Sequence, residues 1–189
     1  MKQFQKNLTK TVAAAGVMTA LAVVLTTIHF PLVPAAPFLE YDPADIPIFL
    51  STIIFGPWVG LGETIAASVI QGLTVSAASG VYGILMHVIA TGSYVIVLGL
   101  ITRKNKKKKN ILLGMAAAVL TWCAVMIPAN LLITPIFTGM ARSVIWNDLM
   151  PFILLFNLLK SVINSVLAFL LFTLLKSTIG RFVSVYPIK

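Results

Sequence analysis

The sequence predicts an all-α integral membrane protein with six transmembrane helices in one domain, residues 1–189. Hydrophobic residues make up 59% of the chain and charged residues only 10%, whereas soluble domains carry roughly 25% charged residues. The apolar residues are also grouped into blocks, separated by segments rich in proline, glycine or lysine. Such blocks are typical of helices that satisfy their own backbone groups inside a lipid bilayer.

The distribution of the basic residues predicts the orientation and argues against a nucleic-acid partner. The net charge is +9, but nearly all of it lies in three clusters beside apolar blocks. These clusters contain Lys2, Lys6 and Lys10; Arg103, Lys104 and residues 106–109; and Lys176, Arg181 and Lys189. An excess of Lys and Arg is typical of cytoplasmic loops, so we expect both termini to be cytoplasmic.

The first half of the chain predicts helices at residues 11–30, 46–55, 58–73 and 81–101. The second is short, because a bilayer core needs about 20 helical residues, and Gly56 and Pro57 interrupt the chain after it. Residues 31–45, which are rich in proline and acidic residues, are expected to form a structured outer loop. This loop could cover a site, or it could be a solvated connection.

Other features of these helices leave alternatives open. Gly16 and Ala20 are small residues four apart, which favours close approach of another helix, although small residues are common in membrane helices. Glu63 could lie at the inner interface or pair with a basic group. We interpret His87 as a hydrogen-bonded packing residue, with a ligand role as the alternative, and no second His or Cys stands at metal spacing. Residues 74–80 predict an outer turn or the wall of a site.

The second half predicts helices at residues 111–133 and 150–175, joined by an outer loop at 137–147. Pro128 is expected to interrupt the fifth helix, with Asn130 just beyond it. In the last helix, Asn157, Lys160 and Asn164 follow the spacing i, i+3, i+7 and share one face. A lysine in the hydrocarbon costs about 2.5–3.5 kcal/mol. The stripe therefore indicates a cavity or ligand, with interhelical hydrogen bonding as the alternative.

The chain lacks the usual signatures of enzymes and pumps. It has no glycine-rich phosphate loop followed by Lys and Ser or Thr. No pair of acids lies within one predicted helix, and Glu63 and His87 are the only candidates for a proton path. We therefore expect a binding subunit, without a cofactor, that depends on partners for energy.

Five motifs carry a resemblance to a known family. They are FLEYDPADIP (38–47), FGPWVG (55–60), LMHVIATGSYV (85–95), IPANLLITPIF (127–137) and PFILLFNLLKSVIN (151–164). With them the chain resembles, over essentially its whole length, the S-components of energy-coupling factor (ECF) vitamin transporters, and more narrowly the riboflavin-specific members. The resemblance implies the six-helix S-component fold in a bacterial cell membrane. It also implies a transmembrane scaffold subunit and two ATPase subunits as partners.

The resemblance further implies a riboflavin pocket near the outer face, between the first loop and helices four to six. Polar pocket positions map to Asn130, Asn157, Lys160 and Asn164, and further positions to Leu39, Tyr41, Asp45 and Gly80. The family's docking motif on the first helix is matched here only by Gly16 and Ala20. Riboflavin would be transported cargo and not a cofactor.

The residue chemistry suits riboflavin but leaves alternatives. Asparagine amides can pair with donor–acceptor edges of a flavin ring, and Phe38, Leu39 and Tyr41 could supply apolar walls. Lys160 could donate to ligand oxygens, or it could pair with Asp45. The alternative functions are an S-component for another vitamin or for a flavin analogue such as FMN or roseoflavin, a membrane enzyme using Lys160 with an acid, and a channel.

Overall fold

A computed structural model describes the backbone of residues 2–182 and the side chains of residues 8–176. The described residues form six main helices: α1 (Lys2–Leu25), α2 (Asp45–Phe55), α3 (Pro57–Leu73), α4 (Gly80–Thr102), α5 (Lys108–Thr138) and α7 (Met150–Phe182). A short helix, α6 (Arg142–Val144), and a π-helical turn (Ile145–Leu149) lie between α5 and α7. The predicted number of main helices is confirmed. The side chains of Lys2, Lys6, Arg181 and Lys189 lie outside the described residues.

Helix α1 starts and ends earlier than the predicted residues 11–30. The Thr26 hydroxyl donates to the Val23 carbonyl at 2.7 Å, and the Thr27 hydroxyl donates to the Val24 carbonyl at the same distance. These bonds lie at the last turn of the helix. The chain then forms β1 (Phe30–Pro31), which pairs antiparallel with β2 (Glu40–Tyr41). The predicted outer loop is thus a structured hairpin.

The short helix α2 is the core of the bundle. Every residue from Asp45 to Ile54 is buried, and α2 contacts α1, α3, α4 and α7. At 1.5 Å per residue its 11 residues span only about 17 Å. A helix enclosed by other helices does not need to match the thickness of the hydrocarbon, which explains how so short a helix is accommodated.

Helix α5 contradicts the prediction that Pro128 interrupts it. The helix continues through both Pro128 and Pro135 to Thr138. Pro128 removes the N–H that would bond the carbonyl of Ala124, four residues earlier, and membrane helices tolerate such a loss where neighbouring groups satisfy the freed backbone. The helix ends where Gly139 adopts a left-handed conformation, with φ 74°, as is common at helix C-termini.

The predicted outer loop at residues 137–147 is also wrong for most of its length. Residues 142–149 are helical and lead directly into α7, so only residues 139–141 connect α5 to this last helical segment. The π-helical turn places Ile145 in a buried cluster with Met150 and Ile153. Trp146 remains 54% exposed, as expected of an interfacial residue.

The turn between α2 and α3 lies at the end of the bundle that carries Arg103, Lys104 and the lysines at 106–109, called here the basic end. Gly56 adopts φ 100° and Pro57 begins α3. The Lys106 ammonium donates to the Ile54 carbonyl at 2.6 Å and caps the last turn of α2. Partial burial lowers the pKa of Lys106, because desolvation disfavours the charged form.

Four described helical segments are long and apolar enough to cross a membrane. They are Leu8–Leu25, Gly80–Thr102, Lys108–Thr138 and Arg142–Lys176. Helices α2 and α3 are shorter, with 11 and 17 residues. Many of the exposed side chains on the long helices are large and apolar, such as Val17, Leu120 and Leu174. This arrangement fits a bundle surrounded by lipid.

Close packing of α4 against the start of α3 leads to a stability prediction. A Cβ atom on Gly99 would lie 2.6 Å from both the Cβ and the backbone nitrogen of Pro57. We expect Gly99→Ala to destabilise the protein by about 1–3 kcal/mol, because backbone must shift. Thermal unfolding in detergent measures this, with Gly62→Ala as control, since a Cβ on Gly62 meets no atom within 4 Å. Equal melting temperatures for Gly99→Ala and the native chain would contradict the packing.

Candidate functional site

A cavity of about 500 Å³ lies at the end of the bundle opposite the basic end. Its walls come from the loop after α1, the turn between α3 and α4, and helices α3, α4, α5 and α7. The lining side chains with polar or charged groups are His29, Glu40, Asp42, Ser68, Gln71, Ser76, Ser79, Tyr82, His87, Trp122, Asn130, Thr134, Asn157 and Lys160. Small-molecule pockets typically measure roughly 300–1,000 Å³.

Two asparagine amides are held in defined orientations at this cavity. Asn130 donates to the Met126 carbonyl at 2.8 Å and accepts from the Thr134 hydroxyl at 2.9 Å. Asn157 donates to the Ile153 carbonyl at 2.8 Å and accepts a further bond described below. Both asparagines are buried. Each amide keeps one N–H and one oxygen lone pair beyond these bonds, which a ligand in the cavity could use.

Lys160 reaches the cavity and pairs with the loop after α1. Its ammonium donates to the Asp42 carboxylate at 2.7 Å and lies 4.0 Å from the Asp45 carboxylate. Lys160 is only 8% exposed and Asp42 only 5%. Such a pair needs good geometry, because taking two charges out of water is costly. The ion pair joins α7 to the loop and still leaves Lys160 at the cavity wall.

Asp45, the first residue of α2, is the centre of a buried hydrogen-bond network. It is fully buried, and its carboxylate accepts from His87 at 3.0 Å, from Thr91 at 2.7 Å and from Asn164 at 3.1 Å. A buried carboxylate with several donors is well satisfied. Because His87 and Thr91 lie on α4 and Asn164 on α7, Asp45 ties three helices together below the cavity.

Tyr41 and Asn164 hold the loop from its other side. The Tyr41 hydroxyl donates to the Asn164 side-chain oxygen at 2.9 Å, and the Asn164 amide donates to the Asp42 carbonyl at 3.2 Å. Burial raises the pKa of Tyr41, so its hydroxyl stays protonated and can donate. The loop is therefore attached to α7 by one ion pair and two hydrogen bonds.

Apolar and aromatic side chains form the rest of the cavity wall. Phe38 and Leu39 contribute from the loop, and Tyr82 and Phe137 contribute from α4 and α5 with ring centroids 5.9 Å apart. Trp122 and Phe156 line the cavity as well. A mainly apolar wall with a few oriented polar groups is typical of a site for a flat, partly polar ligand.

The structure brings together most of the residues that the sequence indicated, in two layers. Leu39, Asn130, Asn157 and Lys160 line the cavity. Tyr41, Asp45 and Asn164 lie behind its wall and hold Asp42, Lys160 and His87 in place. Gly80 does not line the cavity, although Ser79 before it does.

The two proposed docking residues lie elsewhere. Gly16 and Ala20 are on α1, are exposed, and do not line the cavity. A Cβ on Gly16 would meet no atom within 4 Å. The surface around them is open and apolar.

Two residues of the site, Asp42 and Trp122, were missed from the sequence. His87, interpreted as a hydrogen-bonded packing residue, bonds Asp45 and also lines the cavity. Asp42, and not Asp45, is the closer partner of Lys160, although both acids lie in the same loop motif. Trp122 carries no polar pattern on α5 that would have indicated its contact with Asn157 across the bundle.

Glu63 lies outside this network. It is 3% exposed and accepts a hydrogen bond from Ser51 on α2 at 2.5 Å. Its other carboxyl oxygen has no hydrogen-bond partner among the side chains that the structure describes. Glu63 therefore does not lie at an aqueous interface. Within residues 8–176, no three His, Cys, Asp or Glu side chains stand close enough together to hold a metal ion.

Comparison with known proteins shows the class to which this bundle and its cavity belong. The family model for the substrate-specific component of ECF transporters matches residues 10–175, so the chain belongs to this family. It is therefore a membrane component of a transporter and not an enzyme. Its fold agrees with that of a solved chain described as the S component of a bacterial ECF transporter. The TM-score is 0.79 at 26% identity, covering 91% of this chain and 98% of the other.

The curated relatives define a narrower group. The chain is 27% identical to the riboflavin transporter RibU of Streptococcus thermophilus over 95% of this chain and 89% of that protein. It is 25% identical to the riboflavin transporter RibU of Staphylococcus aureus, over 91% and 93%. A third relative is the riboflavin transporter FmnP of Bacillus subtilis, at 24% identity over 91% and 95%.

Proposed function

We propose that this protein is the riboflavin-binding component of an ECF-type importer. The observation that carries the proposal is a largely apolar cavity in which two buried asparagines and one lysine are held in fixed positions. The curated relatives named above are all riboflavin transporters. Both observations favour a flat heterocycle that carries a polar tail.

Each part of the cavity has a chemical counterpart in riboflavin. The isoalloxazine ring has an imide edge with alternating acceptors and donors, which suits the free N–H and lone pair of Asn130 or Asn157. Phe38, Leu39 and the Tyr82–Phe137 pair offer apolar contact to the ring faces. The ribityl hydroxyls can accept from Lys160 and donate to Asp42, so the ion pair and the ligand can share these groups.

The loop after α1 is the proposed cover of the site. It contributes Phe38, Leu39 and Asp42 to the cavity and is attached to α7 through Lys160, Tyr41 and Asn164. In this role Tyr41, Asp45 and Asn164 contribute to affinity by fixing the groups that touch the ligand. Gly80 contributes through the start of α4 beside Ser79 and not by contact.

The proposal also includes orientation and partners. The basic end would face the cytoplasm, because Arg103, Lys104 and residues 106–109 cluster there. The cavity would then open to the outside and capture riboflavin. A transmembrane scaffold subunit and two ATPase subunits would supply the energy for delivery inward.

A fluorescence titration tests the proposed substrate. Free riboflavin fluoresces, and binding between aromatic walls is expected to quench it, so purified ligand-free protein should titrate added riboflavin to a 1:1 endpoint. FMN, roseoflavin, thiamine and biotin are then tested as competitors. Displacement by riboflavin analogues but not by thiamine or biotin supports the proposal. If another vitamin binds and riboflavin fluorescence is not quenched, that vitamin and not riboflavin would be the substrate.

Docking through α1 predicts separate effects on binding and on transport. Gly16 and Ala20 lie on an exposed face with Val12, Val17 and Val24, where a partner helix could approach closely. Gly16→Leu is expected to leave riboflavin affinity unchanged but to abolish ATP-driven uptake by vesicles containing the full transporter. Gly62→Leu on α3, also exposed with open space around it, is the control. Normal riboflavin uptake by a transporter that carries Gly16→Leu would show that α1 is not the docking helix.

A further inference from the structure

Trp122 is a buried tryptophan whose ring is fixed by packing. It is 2% exposed and meets Phe49 and Tyr94 edge-on, with ring centroids 6.4 and 6.0 Å away. Phe49 and Tyr94 are themselves stacked at 3.8 Å. Aromatic groups packed in this way have little freedom to turn. The direction of the indole N–H is therefore set by the core of the bundle.

This N–H is directed at an amide of the cavity. Trp122 Nε1 donates to Asn157 Oδ1 at 2.7 Å, and Asn157 Nδ2 donates to the Ile153 carbonyl at 2.8 Å. An indole N–H can only donate and a carbonyl can only accept. Only one of the two orientations of the amide therefore satisfies both neighbours. The alternative orientation would set donor against donor and acceptor against acceptor.

The consequence for the cavity is a defined pattern of donors and acceptors. Asn157 lines the cavity, and the bonds to Trp122 and Ile153 use one of its two N–H groups and one lone pair of its oxygen. What remains is one N–H and one lone pair at fixed positions. A group held in its bound orientation before the ligand arrives avoids the entropy cost of ordering on binding.

We propose that Trp122 is a positioning residue for ligand recognition: its indole N–H fixes the amide of Asn157 so that the site pairs with an adjacent acceptor and donor on the ligand. Such an edge is found in amides and imides, including the imide of riboflavin. The inference rests on the proposed function for the identity of the ligand. The hydrogen bond from Trp122, and not contact of its ring with the ligand, is the part of Trp122 that sets affinity.

A double-mutant cycle separates this role from simple packing. Trp122→Phe keeps an aromatic ring but removes the N–H, and we expect riboflavin to bind about tenfold more weakly, since a buried acceptor loses its donor. In the Asn157→Ala background the same change should weaken binding less than twofold. Equal effects in both backgrounds would show that Trp122 acts independently of Asn157 and would overturn the proposal. Trp146→Phe, at an exposed tryptophan, should leave the affinity unchanged.

A spectroscopic measurement covers the case in which Trp122→Phe does not fold. The chain has three tryptophans, so replacing the exposed Trp58 and Trp146 by Phe leaves one indole N–H signal in a 15N NMR spectrum. This signal should exchange slowly with solvent deuterium in the free protein and stay protected when riboflavin is bound. Fast exchange, or loss of protection on adding riboflavin, would show that the bond is not kept in the complex and would overturn the proposal.

The two proposals fail in different ways. If the native protein does not quench riboflavin at all, the substrate assignment fails, and the indole signal of the free protein still reports whether the Trp122 N–H is protected from solvent, as the bond to Asn157 requires. If the native protein binds riboflavin but the cycle is additive, only the role of Trp122 is overturned.

Discussion

Replacing Lys160 with methionine is expected to lower the free energy of unfolding by about 3–5 kcal/mol. Lys160 is the cation beside two buried acids, 2.7 Å from Asp42 and 4.0 Å from Asp45. Its removal leaves the Asp42 charge without its closest partner, where solvent cannot compensate. Loss of the ion pair also weakens the attachment of the loop to α7, which keeps two hydrogen bonds, so riboflavin affinity should fall together with stability. Thermal unfolding in detergent and fluorescence titration measure the two effects.

Two control variants show whether the effect comes from the buried pair. Lys104→Met removes an exposed lysine at the basic end and should change neither stability nor affinity, as exposed charges contribute little. Asp42→Asn combined with Lys160→Met removes both charges and should recover much of the lost stability. A single Lys160→Met variant as stable as the native protein would contradict the ion pair as the attachment of the loop.

Asn157→Ala is expected to weaken riboflavin binding by about 1–3 kcal/mol, because polar atoms of the buried ligand would lose their partner. It also leaves the Trp122 N–H without its acceptor. Isothermal titration calorimetry or fluorescence quenching measures the change. Asn110→Ala serves as the control, since the Asn110 side chain bonds Asn105 at the basic end, far from the cavity. Unchanged affinity in a folded Asn157→Ala protein would place this residue outside the site.

The sequence predicted the number of main helices well, because hydropathy and charge distribution are local signals. It predicted the ends of α1 and α5 poorly. The apolar pattern continues past the end of α1, where two threonine hydroxyls bond backbone carbonyls. Helix α5 continues through two prolines, although proline is usually a helix breaker. Gly139, with φ 74°, was the better marker of the end of α5, since glycine is favoured at this position.

The polar stripe on α7 was predictable, because its spacing places Asn157, Lys160 and Asn164 on one helical face. The sequence did not show which of these residues line the cavity and which belong to the network behind it, because that division depends on the position of the loop. Only the folded chain brings Asp42 within 2.7 Å of Lys160, 118 residues away in sequence. The contact of Trp122 with Asn157 likewise joins two helices and leaves no periodic pattern in either one.

Identification of the family from sequence motifs was confirmed by the match over residues 10–175. The motifs that supported it, such as FLEYDPADIP and PFILLFNLLKSVIN, contain the Asp42, Asp45, Lys160 and Asn164 network. The physical reason for such motifs is thus visible in the structure: they encode the attachment of the loop to α7.

The absorption spectrum of the purified protein, recorded before and after denaturation, tests riboflavin binding most directly. A cavity of about 500 Å³ with oriented amides should retain its ligand through purification. We expect flavin bands in the folded protein and free, unmodified riboflavin in the fraction released by denaturation. A colourless protein that also fails to quench the fluorescence of added riboflavin would contradict the proposed substrate. The family assignment would then remain, with a different vitamin as the substrate.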